Sequence, residues 1–203
     1  MVRRSEYGSC IVKSALTERA WTKRLPEAVG VRPAHCVRCR RGAFEDGRVS
    51  IHSHGTRLRH QIGPVEYGQS VERRVVVARR FRCDRSGCGT VMLVVPRSVV
   101  PKKQYSAGAI ASAVANWSGY LAPTSSADAE SEHTVRPSSR WRQPERWAAE
   151  VFSARLFEAV PRHPGARQRP KEAARALVQS IAGRAPRGTQ FEALVFAGAE
   201  QLP

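Results

Sequence analysis

Residues 71–96 read VERRVVVARRFRCDRSGCGTVMLVVP, and this stretch decides the first part of the fold. It contains two runs rich in β-branched residues, Val71–Phe81 and Thr90–Val95, and Pro96 ends the second run. Two such runs joined by a short glycine-containing turn are typical of a β-hairpin. The turn, Cys83–Cys88, begins and ends with a cysteine, so the hairpin is expected to present two sulfur atoms at one end.

A second pair of cysteines lies upstream, in the pattern Cys36-x2-Cys39. Zinc prefers four ligands in a tetrahedron, and thiolates suit it. Five cysteines in a reduced cytosol indicate metal ligands more than disulfides, and Cys10 is interpreted as a lone thiol. The sequence therefore predicts one structural zinc ion held by Cys36, Cys39, Cys83 and Cys88. Histidines that offer substitute ligands are His35, His52, His54 and His60.

The segment between the two cysteine pairs is predicted to be β structure. Val49 and Ile51 alternate with polar residues, as in a half-buried strand. Gly55 is expected to break this strand, and Leu58 and Ile62 then indicate a return strand. Residues 1–34 are basic and weakly patterned, with one short helix expected between Leu16 and Leu25.

The second half of the chain is predicted to be helical. Ser106 can cap a helix that carries Ile110, Val114 and Trp117 at helical spacing and ends near Gly119. Further helices are expected over 125–132, over 145–160 and over the C-terminal residues, where the apolar stripe consists of Ala174, Leu177, Val178, Ile181, Phe191, Leu194 and Val195. The predicted fold class is α+β, a β-rich zinc ribbon followed by a small all-helical region. Its expected parts are a basic extension (1–34), the ribbon (35–103), a helical region (104–160), a linker (161–170) and C-terminal helices (171–203).

The charge of the chain is strongly positive and unevenly distributed. The net charge is +17, and residues 1–103 hold 22 Lys and Arg against 8 Asp and Glu, a net of +14. Such an excess favours a polyanionic partner. No segment approaches the length of a membrane span, and residues 1–30 lack the pattern of a secretion signal. We therefore expect a cytoplasmic, nucleoid-associated protein that binds DNA, with RNA as a further nucleic-acid partner.

Residues 36–105 resemble the zinc-ribbon domain at the N-termini of insertion-sequence transposases and of short bacterial proteins related to them. The residues that carry this likeness are Cys36-Val-Arg-Cys39, Ile51-His-Ser-His-Gly55, Arg79-Arg-Phe-Arg-Cys83, Cys88-Gly89, Val94-Val-Pro96 and Pro101-Lys-Lys-Gln-Tyr-Ser106. The resemblance implies a helix-turn-helix after the ribbon. The helix from Ser106, the segment 125–132 and the segment 134–142 are the expected version of it here.

The catalytic domain of such transposases would need three metal-binding carboxylates on a mixed α/β fold. Aspartate occurs only at Asp46, Asp84 and Asp128, and the pattern after Tyr105 does not indicate a sheet. We therefore expect a stand-alone, non-catalytic relative, either an accessory protein or a remnant of a mobile element.

Arginines of the ribbon are the expected phosphate contacts, and a later helix is the expected base reader. The predicted nucleic-acid-binding residues are Arg57, Arg59, Arg73, Arg74, Arg79, Arg80, Lys102, Lys103, Arg136, Arg140 and Arg142. An alternative function is that of a protein-interaction adaptor. In that case the ribbon is a scaffold, and helices within 171–200 bind a partner or self-associate.

Overall fold

The structure, a computed structural model, describes residues 10–101, 103–120, 143–152 and 169–202. Six strands precede four of the five helices, which confirms the predicted α+β class. The strands are β1 (Cys10–Lys13), β2 (Phe44–Glu45), β3 (Arg48–Val49), β4 (Ile51–Gly63), β5 (Glu72–Cys83) and β6 (Val91–Val95). The helices are α1 (Glu18–Lys23), α2 (Ala107–Ser118), α3 (Gln143–Phe152), α4 (Pro170–Ala182) and α5 (Leu194–Glu200).

The chain divides into two compact units. The first contains the described residues up to His60 together with Val75–Pro96, and the second contains Gln61–Arg74 and the described residues from Arg97 onward. None of the helices in the described part of the chain combines the length and apolar character that a bilayer span requires.

A four-stranded sheet in the order β1-β6-β5-β4 forms the frame of the strand-rich part. Phe81 of β5 lies opposite Met92 of β6 in antiparallel register, and both side chains are buried. This pairing confirms the predicted hairpin with the Cys83–Cys88 turn at its end. Only residues 64–71 connect β4 to β5, which is too short for a parallel crossover, so these two strands are also antiparallel.

The N-terminal residues contribute more to this sheet than the sequence suggested. Residues 10–13 of the segment expected to be an extension form β1, which pairs in parallel with β6 from Cys10↔Met92 to Lys13↔Val95. The predicted short helix is α1, capped by Thr17. Its Trp21 is buried, and the indole N–H donates to the Val77 carbonyl at 2.8 Å. Residues 10–34 are thus joined to the rest of the first unit by a paired strand and by a buried aromatic ring.

The predicted break at Gly55 was wrong, because β4 runs without interruption from Ile51 to Gly63. Gly55 has φ of +84°, a conformation that glycine adopts without steric cost. A glycine within a strand pattern can therefore mark a local irregularity of one long strand instead of a turn between two.

The second unit has a helical core. Ser106 caps α2 as predicted, with its hydroxyl accepting from the Ala109 amide at 3.3 Å. The predicted stripe on α4 is buried, and Trp147 of α3 packs edge-on against Tyr105 with ring centroids 5.1 Å apart. Phe191 differs from the prediction, since it lies in a 3-10 turn before α5 and is exposed.

The predicted helix over 145–160 is described from Gln143 to Phe152. The predicted helix 125–132, the segment 134–142 and most of the linker 161–170 lie outside the described residues. The expected helix-turn-helix therefore stays a prediction.

Candidate metal centre

The first cysteine pair lies in a tight loop after Pro33. The Cys36 amide donates to the Arg41 carbonyl, and the Arg40 amide donates to the Cys36 carbonyl, both at 2.9 Å. The two bonds fold residues 36–41 back on themselves and bring Cys36 and Cys39 to one side. Arg40, directly after Cys39, has φ of +60°, which is the left-handed region.

The second pair lies in the turn between β5 and β6. The Cys83 amide donates to the Thr90 carbonyl at 3.0 Å, and the Cys88 amide donates to the Arg85 carbonyl at 2.9 Å. The second of these bonds makes a turn over residues 85–88. That turn takes up the two extra residues of the Cys-x4-Cys spacing while both cysteines stay at the base of the loop.

The two loops bring the four predicted cysteines together. The Sγ atoms of Cys36 and Cys88 are 3.6 Å apart, those of Cys39 and Cys83 are 3.9 Å apart, and all four lie within 4.8 Å of one another. Cys36, Cys83 and Cys88 are buried, Cys39 is partly buried, and none forms a disulfide. Within the described residues this is the one group of His, Cys, Asp or Glu that could hold a metal ion.

The surroundings affect the thiols differently. Burial raises the pKa of Cys36 and raises that of Cys83 to about 12, and backbone amide donors oppose the rise in both cases. Burial also acts to raise the pKa of Cys88, but hydrogen bonds with the hydroxyl and the amide of Thr90 and with the thiols of Cys36 and Cys83 outweigh it and lower that pKa to about 6. The Thr90 hydroxyl lies 3.3 Å from the Cys88 sulfur. Donors aimed at sulfur favour the thiolate, the form that binds metal.

Polar contacts fix the second loop to its neighbours. Arg85 forms an ion pair with Glu45 of β2, and the Asp84 amide donates to the Ser50 carbonyl at 3.0 Å. His52 also contacts Asp84, with 2.8 Å between Nε2 and Oδ2. The group of four sulfurs includes none of the histidines considered as substitute ligands, and His52 has this carboxylate as its partner instead.

Sequence reasoning missed two features of this centre. Thr90 is the hydrogen-bond partner of Cys88. The sequence signal that could have identified it is its position two residues after Cys88, the cysteine that ends the turn between β5 and β6. Arg40 takes a position that usually needs glycine, and the sequence gives no signal for that.

The predicted DNA-contacting residues differ in their surroundings. Arg57 and Arg73 are exposed, whereas Arg59, Arg80 and Lys103 are partly buried. Arg74 donates to the carbonyls of Gly63 and Pro64, and Arg79 donates to the Pro26 carbonyl at 2.8 Å. The guanidinium groups of these two arginines therefore bind backbone carbonyls of the chain itself. Outside the described residues lie Lys102, Arg136, Arg140 and Arg142.

Comparison with protein-family models finds a similarity over part of the chain. Residues 47–141 match a domain of unknown function (DUF6431). The matched stretch contains the Cys83–Cys88 loop and the strands around it, while Cys36 and Cys39 precede it. No curated protein matches the chain. No solved structure matches it either.

Proposed function

We propose that this chain is a zinc-ribbon DNA-binding protein related to transposon-encoded proteins, and that it acts as a non-catalytic accessory or is a remnant. The observation that carries the proposal is the cluster of four sulfurs beside strands that present arginines. The charge of the chain supports it, since the net +14 falls on residues 1–103, which supply every strand that the described residues contain.

Zinc is the proposed ion because the sulfur spacing fits its bond lengths. Zinc–sulfur bonds are about 2.3 Å long, so the edges of a regular ZnS4 tetrahedron are about 3.8 Å. Two of the sulfur pairs, at 3.6 Å and 3.9 Å, lie on either side of this length. Iron also takes four thiolates, so metal analysis decides between the two.

The proposed role of the ion is structural. Four protein ligands complete the coordination of zinc and leave no position for water or substrate. A zinc–tetrathiolate centre carries a formal charge of −2. Arg38, whose guanidinium donates to the Cys88 carbonyl at 3.4 Å, lies close enough to offset part of that charge.

DNA is the proposed partner because the two longest strands of the sheet carry exposed positive charge. Arg57 of β4 and Arg73 and Arg82 of β5 are exposed arginines of the two longest strands. Guanidinium groups on an exposed strand can reach phosphates and dominate affinity without reading sequence. A cytoplasmic, nucleoid-associated location follows from this proposal.

The proposed absence of catalysis rests on the aspartates. Asp46 lies in the turn between β2 and β3, and Asp84 is the partner of His52, while Asp128 lies outside the described residues. Magnesium-dependent cleavage of DNA by the pure protein, lost on Asp46→Asn or Asp84→Asn, would contradict this part of the proposal.

A second candidate function is a protein-interaction adaptor. Phe191 favours it, because this large apolar side chain is 61% exposed just before α5. In that case the C-terminal helices bind a partner or a second copy of the chain, and the zinc ribbon is a scaffold.

The deciding experiment measures binding of fluorescent duplex DNA and duplex RNA by the zinc-loaded protein, before and after zinc removal with a chelator. We expect DNA binding that weakens with salt and is lost with the metal, because the metal joins the two cysteine loops. Zinc-loaded protein that binds no nucleic acid would favour the adaptor.

A further inference from the structure

The first half of β4 has an unusual pattern of burial. Side chains of a strand alternate between two faces, so a strand that packs against a core shows alternate burial. In β4, all residues from His52 to Leu58 are exposed, whereas Ile51, Gln61 and Gly63 are buried. Because β4 is at the edge of the four-stranded sheet, residues 52–58 are open on both faces and along one edge.

This open stretch has the chemistry of a nucleic-acid-binding element. Residues 51–63 contain two arginines, three histidines and no acidic residue. Arg57 and Arg59 are two positions apart and share one face. Burial lowers the pKa of Arg59, and the charge of Arg57 lowers it further, so the two guanidinium groups lie close enough to repel each other. A polyanion placed against this face would relieve that repulsion.

We propose that residues 52–60 of β4 enter the major groove of duplex DNA and that Arg57 contacts the edge of a guanine there. This inference rests on the proposed DNA-binding function and adds the element that reads sequence. It places base reading on a strand, whereas the resemblance to transposases suggested a helix near Arg136.

The dimensions of a strand at a sheet edge fit this groove. The major groove of B-form DNA is about 12 Å wide and admits a two-stranded β-ribbon. Strands lie about 4.8 Å apart, and nine residues of β4 span about 30 Å. At roughly 3.4 Å per base pair, that length faces about nine base pairs. β5, the neighbour of β4, also pairs with β6 through Arg79–Arg82, so β4 enters the groove as the edge strand of the sheet.

The exposed side chains also match the groups that base pairs present. Arginine donates two parallel hydrogen bonds to guanine, serine and threonine pair with several bases, and apolar groups contact the methyl of thymine. Ser53, Thr56 and Arg57 supply the polar groups. Leu58 supplies an apolar group. Its side chain is 66% exposed, which is unfavourable in water, and contact with DNA would remove it from water.

The test begins by selecting tightly bound duplexes from a random library with the zinc-loaded full chain. Arg57→Gln is then compared with Arg187→Gln, an exposed arginine of the second unit with the same change of charge. We expect Arg57→Gln to weaken binding of the selected sequence by roughly 10- to 100-fold and to weaken random DNA much less. Arg187→Gln should change both equally and slightly. Zinc content and circular dichroism verify that both variants fold.

Methylation interference identifies the groove. Methylation of guanine N7, in the major groove, should block binding at the guanine that depends on Arg57, and methylation of adenine N3, in the minor groove, should not. Interference at N3, or equal loss on every sequence, overturns base reading by β4 while leaving DNA binding intact. Equal affinity for duplex RNA overturns it too, because side chains cannot read the deep, narrow A-form major groove. No binding of any duplex by the wild-type chain overturns the proposed function itself.

Discussion

Arg40 and Gly89 hold equivalent positions in the two cysteine loops. Each directly follows the second cysteine of its pair, and each has φ of +60°. The left-handed residue changes the direction of the chain directly after the second cysteine, so that both cysteines stay on the inner side of the loop. Glycine adopts this conformation freely, but for arginine it costs roughly 1–2 kcal/mol.

Substitution at these two positions should therefore have opposite effects on stability. Arg40→Gly should raise the free energy of unfolding of the zinc-loaded protein by about 0.5–1 kcal/mol, since strain is relieved while the greater freedom of the unfolded glycine offsets part of the gain. The arginine side chain is exposed, so little packing is lost. Gly89→Ala should lower stability by about 1 kcal/mol, although an added methyl would meet no atom within 4 Å.

Gly30→Ala is the control for this comparison, because a methyl there also meets nothing within 4 Å and the backbone is not left-handed. Thermal unfolding of the four proteins measures the effects. If Arg40→Gly is destabilising, the arginine side chain contributes more to the loop than the strain costs.

The four-cysteine centre predicts the metal content of single variants. Wild-type protein should contain about one zinc ion per chain, and Cys36→Ser and Cys88→Ser should lose it on dialysis against a chelator. Each removes one sulfur of the pair that is 3.6 Å apart. Cys10→Ser is the matched control, because Cys10 lies in β1 and outside the cluster. Full zinc retention in both ligand variants would rule out the assignment.

The packing of α5 against α4 predicts a strong effect at Gly198. A Cβ atom at this position would collide with the backbone carbonyl of Ile181. Gly198→Ala should therefore lower the free energy of unfolding by about 1–3 kcal/mol, because backbone cannot move aside as a side chain does. At Gly183 an added methyl meets only ordinary contacts, from 3.6 Å, so Gly183→Ala should be neutral or slightly stabilising. Equal unfolding midpoints for the two variants would contradict the close approach of these helices.

The salt dependence of DNA binding should depend on where charge is removed. If about five phosphates are neutralised, log K should fall with log salt at a slope near −4.5. Replacing Arg73 and Arg82 of β5 by Gln should bring the slope toward about −2.7. Replacing Arg184 and Arg187, which follow α4, removes the same charge and should change the slope little.

Arg74 and Arg79 are left out of this comparison because their guanidinium groups hold backbone carbonyls of the chain. Equal flattening of the salt dependence by both double variants would indicate that net charge, and not a defined binding face, governs binding. The adaptor would then be the better interpretation.

Much of the local structure could be predicted because local signals decide it. The hairpin on either side of the Cys83–Cys88 turn follows from β-branched runs, and α2 follows from Ser106 and its apolar spacing. The continuity of β4 could not be predicted, since Gly55 fits a turn and an irregular strand equally well. The strand β1 was missed because four partly buried residues carry no clear period, and their pairing with β6 joins segments about 80 residues apart in sequence.

The sequence by itself determined the four cysteines, the helical second half and the excess of positive charge, because residue types and short spacings are sufficient for each. Only the tertiary structure decided that the four sulfurs lie within 4.8 Å of one another and that the Thr90 hydroxyl is 3.3 Å from the sulfur of Cys88. It also decided that Arg74 and Arg79 donate to backbone carbonyls while Arg57 stays exposed. The physical reason is that hydrogen-bond partners and solvent exposure depend on segments distant in the chain. An arginine therefore has a structural role on one strand and stays exposed on the neighbouring strand.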